Sequence, residues 1–295
     1  MSGSDLWLVF GGKSGWIGQQ MVALLQTDGL RVASADSRLD DAASMHAELD
    51  LLKPAFVLNC AGLTGRPNVD WCEDHKLEVI RVNVTGTQAL IDACFTRNIH
   101  ITNFATGCIF EYDAAHPIGS GIGFTEDDKP NFFASFYSLT KGMVEQTSRF
   151  YPNMLLLRVR MPLSDDLNPR NFITKISKYE KVVNVPNSMT ILTDCLPAAL
   201  SMAKRKLTGV YNFTNPGVIS HNQILDLYKQ YIDPSFTYVN FTLEQQAEIL
   251  KAGRSNNELD STKFSAACPE VPHIQQGIIG LFERMAVNLG VSGKK

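Results

Sequence analysis

Long apolar runs are missing from this 295-residue chain, and so is a dominant charge. No apolar stretch approaches the ~20 residues that a membrane-spanning helix needs, so no spanning segment is expected. The 27 basic and 30 acidic side chains leave a net charge of −3. So small a field exerts no long-range pull on nucleic acid or anionic lipid, and neither partner is expected. A small anionic ligand could still be held by a few local donors. The six cysteines, at 60, 72, 94, 108, 195 and 268, show no CxxC spacing. They read as reduced thiols in a cytosolic enzyme, and no metal is expected. Met1 to Asp5 are polar and run straight into a strand. They do not form a basic and then apolar leader, so a cytoplasmic location is expected. Without a leader, the Asn-X-Thr sequons at Asn83, Asn212 and Asn240 read as coincidental. Internal repeats and low-complexity segments are also lacking.

The composition, 44% hydrophobic and 19% charged, is that of a globular chain. Its length allows one large domain or two unequal lobes. Leu6–Phe10 is a continuous apolar run, as in a parallel strand covered on both faces. Gly11-Gly12-Lys13-Ser14-Gly15-Trp16-Ile17-Gly18 follows at once, and Ile17–Leu25 then has helical spacing. Strand, glycine turn and helix together make a dinucleotide cradle. Gly12, Gly15 and Gly18 allow a tight turn, close approach to a pyrophosphate and close packing. The helix start, at Trp16 and Ile17, adds free N–H groups for the phosphates. The G-x-x-G-x-x-G spacing resembles the extended branch of the short-chain dehydrogenase/reductase group. Val32–Ala35 reads as the second strand. Asp36 beyond it would accept from the adenosine ribose and favour NADH, whereas Arg38 would bind a 2′-phosphate and favour NADPH. The two signals conflict, with a slight lean to NADPH.

Met45–Leu52 has helical spacing. Phe56–Gly62 reads as strand four of such a sheet, and the small residues Ala61 and Gly62 at its end let a cofactor lie close. The loop Leu63–Glu73, rich in hydrogen-bonding groups, reads as substrate-facing, with Thr64, Arg66 and Asn68 as candidate contacts. Asn83 matches the asparagine that this group buries beneath its active site to brace backbone and water. A helix follows at Gln88–Arg97, then a buried strand at Ile99–Phe104. Where that strand gives way to loop, Thr106 and Cys108 lie two residues apart. In open α/β sheets ligands bind outside the carboxyl ends of strands. A long loop, Glu111–Phe133, carries enough Gly and Pro to be irregular, and loops of that length are usually functional.

Tyr137-Ser138-Leu139-Thr140-Lys141 opens a helix to about Phe150, and its two ends share a face. Ketone reduction needs a hydride and a proton at the carbonyl oxygen. A free phenol, with a pKa of ~10, is a slow acid–base shuttle. An ammonium four residues away is expected to lower that pKa. Thr106 is the hydroxyl that would share the carbonyl oxygen.

Met154–Arg160 is a further strand. Ser164–Ile176 does not fit a simple crossover and is assigned to substrate binding, with Asn171 and Lys175 as candidates. Val182–Val185 and Met189–Leu192 read as short strands, Cys195–Lys204 as helix and Val210–Thr214 as strand. His221–Tyr231, Leu243–Lys251 (capped by Thr242) and Glu270–Leu289 read as helices. Val291–Lys295 is expected to fray. The predicted fold is α/β, a doubly wound parallel Rossmann sheet with a smaller C-terminal substrate-binding lobe. Residues 1–160 with 189–217 would bind NAD(P), and 161–188 with 218–295 the nucleotide sugar.

Five motifs carry a closer resemblance, at residues 12–18, 62–73, 103–112, 169–177 and 254–258. Together they resemble the nucleotide-rhamnose synthase/epimerase-reductase family. That family includes the C-terminal half of plant rhamnose synthases, with bacterial dTDP-4-dehydrorhamnose reductases as distant relatives. The resemblance implies that UDP-4-keto-6-deoxyglucose is epimerised at C3 and C5, then reduced at C4 with NAD(P)H to UDP-L-rhamnose. It implies that Thr106 and Tyr137 bind the C4 oxygen, and that Cys108 and Lys175 handle the epimerised carbons. Arg254 is carried over as a substrate contact. The plant half-enzyme is fused to a 4,6-dehydratase, so here the keto-sugar is expected from a separate UDP-glucose 4,6-dehydratase. A homodimer is the superfamily expectation. At Asp36 the plant relatives carry a basic residue, which weakens the NADPH inference. A reductase relying on a separate epimerase is one alternative, against which Cys108 and Lys175 stand. A non-catalytic NADP-binding regulatory subunit is the other, against which the full set Thr106, Tyr137 and Lys141 stands.

Overall fold

The computed structural model describes residues 5–291, so most of the terminal segment expected to fray, residues 292–295, lies outside the described residues. Two compact units share the chain. The first runs to Ile109 and adds Pro130–Arg158 and Leu196–Tyr211; the second comprises Phe110–Lys129, Val159–Cys195 and the chain from Asn212.

The first unit is built on strands β1 (Leu6–Phe10), β2 (Arg31–Ser34), β3 (Phe56–Asn59), β4 (His100–Thr106), β5 (Met154–Val159) and, later in the chain, a strand at Gly209–Tyr211. They form one sheet in the order β2-β1-β3-β4-β5 and then Gly209–Tyr211. Pairing is parallel, with Leu8 opposite both Ala33 and Val57. Parallel strands covered on both faces are apolar throughout, and β1, β3, β4 and β5 are almost wholly buried. Phe56–Asn59 is the third strand in chain order, not the expected fourth. Residues 35–55 supply one helix and no further strand, so the extra edge strand of the six-strand dinucleotide-binding order does not form.

Helices α1 (Trp16–Thr27) and α2 (Ala42–Leu52) connect these strands. Short helices α3 (Trp71–Asp74) and α4 (Lys76–Val79) run into a π-helix at Ile80–Gly86, then α5 (Thr87–Thr96) and, after β4, α6 (Phe136–Ser148). The π-helix was not expected. Leu8, Phe10, Met45, Leu90, Ile101 and Leu156 belong to the unit's main apolar core.

The second unit holds α7 (Phe172–Ile176), β6 (Lys181–Val182) and β7 (Pro186–Asn187), and the start of α8 (Leu192–Lys204). Val182–Val185 therefore contributes one strand residue, and Met189–Leu192 forms no strand. Ile191 makes an isolated bridge to Leu163, and the helix begins one residue later. The sheet strand Gly209–Tyr211 is β8; Val210–Thr214 was expected. Beyond it come β9 (Ile219–Ser220), α9 (His221–Tyr231), β10 (Val239–Asn240), α10 (Leu243–Ile249), α11 (Thr262–Ala267) and α12 (Ile274–Asn288). Thr242 caps α10 as expected, in a reciprocal box with Gln245. The last helix begins at Ile274, not Glu270, because Pro272 and the capping His273 precede it. Among the described residues no helix is long and apolar enough to cross a membrane.

Candidate active site

β4 reaches two residues further than expected, so Thr106 is its last residue and is buried. Its hydroxyl oxygen accepts from the Cys108 amide at 3.1 Å. That short turn presents the half-buried thiol immediately after the strand end. From α6, Tyr137 comes to the same place, close enough for the Thr106 side chain to act on its phenol. Tyr137 packs with Cys72 and Val79, and Cys108, Trp71 and Phe136 pack against that cluster.

Burial pushes the Tyr137 phenol well above its ordinary range. The neighbouring Cys108 adds to the rise, and the Thr106 side chain opposes it. The expected depression by Lys141 is not what governs the phenol here. Desolvation of the anion governs it instead, so the phenol holds its proton. Lys141 lies one turn further along α6. Burial brings its ammonium down to about 8, against a raising contribution from Glu145.

Lys141 overlooks the small-residue end of β3. A side chain added at Gly62 would begin 3.9 Å from the Lys141 Nζ and 3.4 Å from the Asn83 Oδ1. Asn83, fully buried in the π-helix, braces that turn: it donates to the Leu63 carbonyl at 2.8 Å and accepts from the Leu63 amide at 2.7 Å. Ala61 is half-buried there. Further along the loop, Thr64 and Arg66 are exposed, and the Asn68 side chain accepts from the Asp70 amide at 2.8 Å.

The glycine turn fits a dinucleotide pyrophosphate. A Cβ on Gly18 would lie 2.2 Å from the Gly11 carbonyl oxygen, so helix and turn pack closer than any side chain allows. Gly15 is the N-cap of α1 and no side chain caps that end, which leaves first-turn N–H groups for an anion. Trp16 is buried and Ile17 half-buried behind it. At the end of β2, Asp36 is salt-bridged to Lys13, and Arg38 donates to Asp40 at 2.9 Å. Each signal of cofactor preference is thus occupied by a neighbour of opposite charge. A cavity of about 580 Å³ opens there, lined by Asp36, Ser37, Arg38, Glu48 and Leu52 among others.

The remaining candidates belong to the second unit. Lys175 is half-buried on α7, and burial followed by the Arg170 charge lowers its pKa. Asn171 is the N-cap of that helix. It accepts from the Ile173 amide at 3.1 Å and donates to the Ser164 and Asp166 carbonyls, both at 2.7 Å. Its polar atoms thus hold the loop that presents Lys175. Arg254 donates to the Ala252 carbonyl at 2.7 Å. Beside it in sequence, Ser255 receives the fully buried Arg160, on its hydroxyl at 3.1 Å and its carbonyl at 2.7 Å.

Sequence reasoning missed Glu145 and Arg158, a buried ion pair next to Lys141. Signals for both were present. Glu145 is four residues past Lys141 on one helix, and Arg158 interrupts the apolar run of β5, where a charge needs a partner.

Comparison with known proteins places the chain. The model of the RmlD substrate binding domain matches residues 7–278. The chain belongs to that family. It is 57% identical over 279 residues to the bifunctional dTDP-4-dehydrorhamnose 3,5-epimerase/dTDP-4-dehydrorhamnose reductase of Arabidopsis thaliana, covering 94% of this chain and 92% of that protein. It is also 57% identical over 269 residues to the trifunctional UDP-glucose 4,6-dehydratase/UDP-4-keto-6-deoxy-D-glucose 3,5-epimerase/UDP-4-keto-L-rhamnose-reductase RHM2 of the same plant. That match spans 91% of this chain but 40% of RHM2. Among solved structures, the L780 UDP-rhamnose synthase of Acanthamoeba polyphaga mimivirus superposes with a TM-score of 0.90 at 42% identity. It covers 95% of this chain and 99% of that one.

Proposed function

We propose that this RmlD-family chain is a bifunctional 3,5-epimerase and 4-keto reductase that turns UDP-4-keto-6-deoxyglucose into UDP-L-rhamnose with NADPH, NADH serving as the second choice. One observation carries the reading: the Tyr137 phenol stands where the Thr106 side chain and the Cys108 thiol both act on it. The relatives at 57% identity, one named for dTDP and one for UDP sugars, support both activities.

The chemistry follows from the carbonyl at C4. C3 and C5 flank it, so it acidifies both of their protons. Thr106 and Tyr137 hydrogen-bond the C4 oxygen and stabilise the enolate charge that develops there. Each inversion needs a base and an acid on opposite ring faces, and Cys108 and Lys175 fill these roles. A lysine with a lowered pKa exchanges protons more readily near neutrality than an ordinary one. In the reductive step Tyr137, protonated, gives its proton to the C4 oxygen, and Lys141 stabilises the tyrosinate left behind.

Gly12, Gly15 and Gly18 with the start of α1 hold the cofactor pyrophosphate, Asp36 and Arg38 meet the adenosine ribose, and Ala61 and Gly62 line its path. When bound, the nicotinamide supplies the hydride. Thr64, Arg66, Asn68, Asn171 and Arg254 are assigned to the nucleotide sugar, by direct contact or by holding the groups that touch it. A separate UDP-glucose 4,6-dehydratase supplies the keto-sugar.

Incubating the purified protein with UDP-4-keto-6-deoxyglucose and NADPH, with no added epimerase, tests this directly. UDP-L-rhamnose is the expected product, formed faster than the dTDP sugar from its dTDP counterpart. Cofactor oxidation without any rhamnose product would refute the epimerase assignment.

A further inference from the structure

Glu145 and Arg158 are an ion pair inside the first unit, with side chains 4% and 0% exposed. Arg158, on β5, reaches α6 with its guanidinium fork: Nη2 to Glu145 Oε1 at 2.5 Å and Nε to Oε2 at 3.1 Å. A pair so enclosed repays its desolvation poorly, and an apolar pair of similar volume is often as stable. Stability is therefore a weak reason for its presence. Its placement suggests another. Glu145 follows Lys141 by one helical turn, so their side chains share a face of α6.

The other ionisable groups around this helix are engaged elsewhere or exposed. On its own face, towards the N-terminus, stands Tyr137, with Cys72 and Cys108 against it. Of α3 and α4, Glu73 accepts from the Phe136 amide at 2.7 Å, Lys76 lies 5.4 Å over the Phe136 ring, and Asp74 and Glu78 are exposed. Arg81 of the π-helix donates to the Asp40 carbonyl at 3.2 Å. Asp92 of α5 accepts from the Tyr151 hydroxyl at 3.1 Å, and His100 of β4 is 2.8 Å from the Leu207 carbonyl. Glu145 is the charge that acts on Lys141.

We propose that Glu145, fixed in place by Arg158, is a positioning residue that keeps Lys141 an ammonium while Tyr137 delivers its proton. The proposal rests on the reading of Tyr137 and Lys141 as the reductase pair. Burial lowers the Lys141 pKa, and a fixed carboxylate one turn away opposes that fall. Arg158 holds the carboxylate in that position through two guanidinium hydrogen bonds.

The test is the pH profile of reduction, read as kcat for the 4-keto sugar. Glu145→Gln lowers the Lys141 pKa, so the ammonium is lost at lower pH. The alkaline limb should move down by about one pH unit, a roughly fivefold loss at pH 8 with little change at pH 6. Glu145→Asp, which keeps the charge, should restore most of the shift. The double variant Glu145→Met with Arg158→Met leaves no lone buried charge and should move the limb the same way. A folded Glu145→Gln or double variant whose limb coincides with that of the unaltered protein would overturn the proposal. If neither variant folds, the unaltered protein decides. A 13C-NMR titration of Lys141, assigned with Lys141→Arg, should show an ammonium that persists to about pH 8. Titration below pH 7 would overturn the idea. That measurement needs no sugar, so failure to form rhamnose would sink the functional reading without touching this one.

Discussion

Tyr137 takes its chemical state from burial. The phenol is enclosed by apolar groups and two thiols, and this holds its proton more firmly than a solvated tyrosine would. Tyr137→Phe should lower the reduction rate by about 10²–10⁴-fold while cofactor binding, followed by fluorescence titration, stays near its original strength. Cys108→Ala separates the two activities: solvent-deuterium incorporation at C3 and C5 should fall by a similar factor. Unchanged incorporation would remove the thiol from the mechanism. Gly18→Ala addresses the cradle. Its Cβ would start 2.2 Å from a backbone oxygen that cannot rotate away. A loss of about 1–3 kcal/mol in unfolding free energy and weaker cofactor binding are expected, measured by urea denaturation and titration. These residues were legible in the sequence because each lies in a short motif whose spacing is itself the constraint. Y-x-x-x-K needs one helical turn, and the glycine turn needs one strand and one helix. The state of the phenol was not legible. The motif suggests a pKa lowered by Lys141, whereas the enclosure that raises it comes from α3 and from the turn after β4.

At the scale of elements, α6 and the π-helix before α5 do most of the positioning. α6 is fixed at its start by Ser135, which accepts from the Ser138 amide at 3.1 Å, and by Glu73, which accepts from the Phe136 amide at 2.7 Å. It presents Tyr137, Lys141 and Glu145 at successive turns. The π-helix carries Asn83 to the backbone of Leu63, where its amide makes two hydrogen bonds. Asn83→Ala leaves both backbone groups without that partner. The expected cost is about 2–3 kcal/mol, seen as a lower urea midpoint at unchanged m-value, together with a weaker affinity for cofactor at the Gly62 turn. That this asparagine braces backbone was readable from its place in the chain. That it does so from a π-helix was not, because Ile80–Gly86 has no period that separates a wide turn from an ordinary one. The strands of the second unit were misread for a related reason. The apolar residues of Val182–Val185 and Met189–Leu192 are buried, and burial alone does not select a strand.

Over the whole molecule, each unit closes its own core, and each core holds a histidine. Burial pushes His221, in the second unit, down to about 4, and the Arg160 charge adds to this. Its folded-state pKa is depressed below the unfolded value, so the neutral ring is the one that folding favours. Its contribution to stability is intact above pH ~6.5 and is lost as pH falls from there towards 4. The loss reaches about 3 kcal/mol below that range. Urea midpoints at pH 7.0 and 4.5 should differ by more in the unaltered chain than in His221→Gln. The strand–glycine turn–helix opening, the Tyr137–Lys141 pair and the family are legible from the linear chain. These are local patterns, or patterns of burial along the chain, and a linear reading recovers them. Tertiary structure decided which groups oppose one another at distance: Thr106 with Tyr137, Asn83 with Leu63, Lys13 with Asp36 and Arg158 with Glu145. Electrostatic environment depends on separation in space and on exclusion of water, and neither is written in the spacing of residues along the chain.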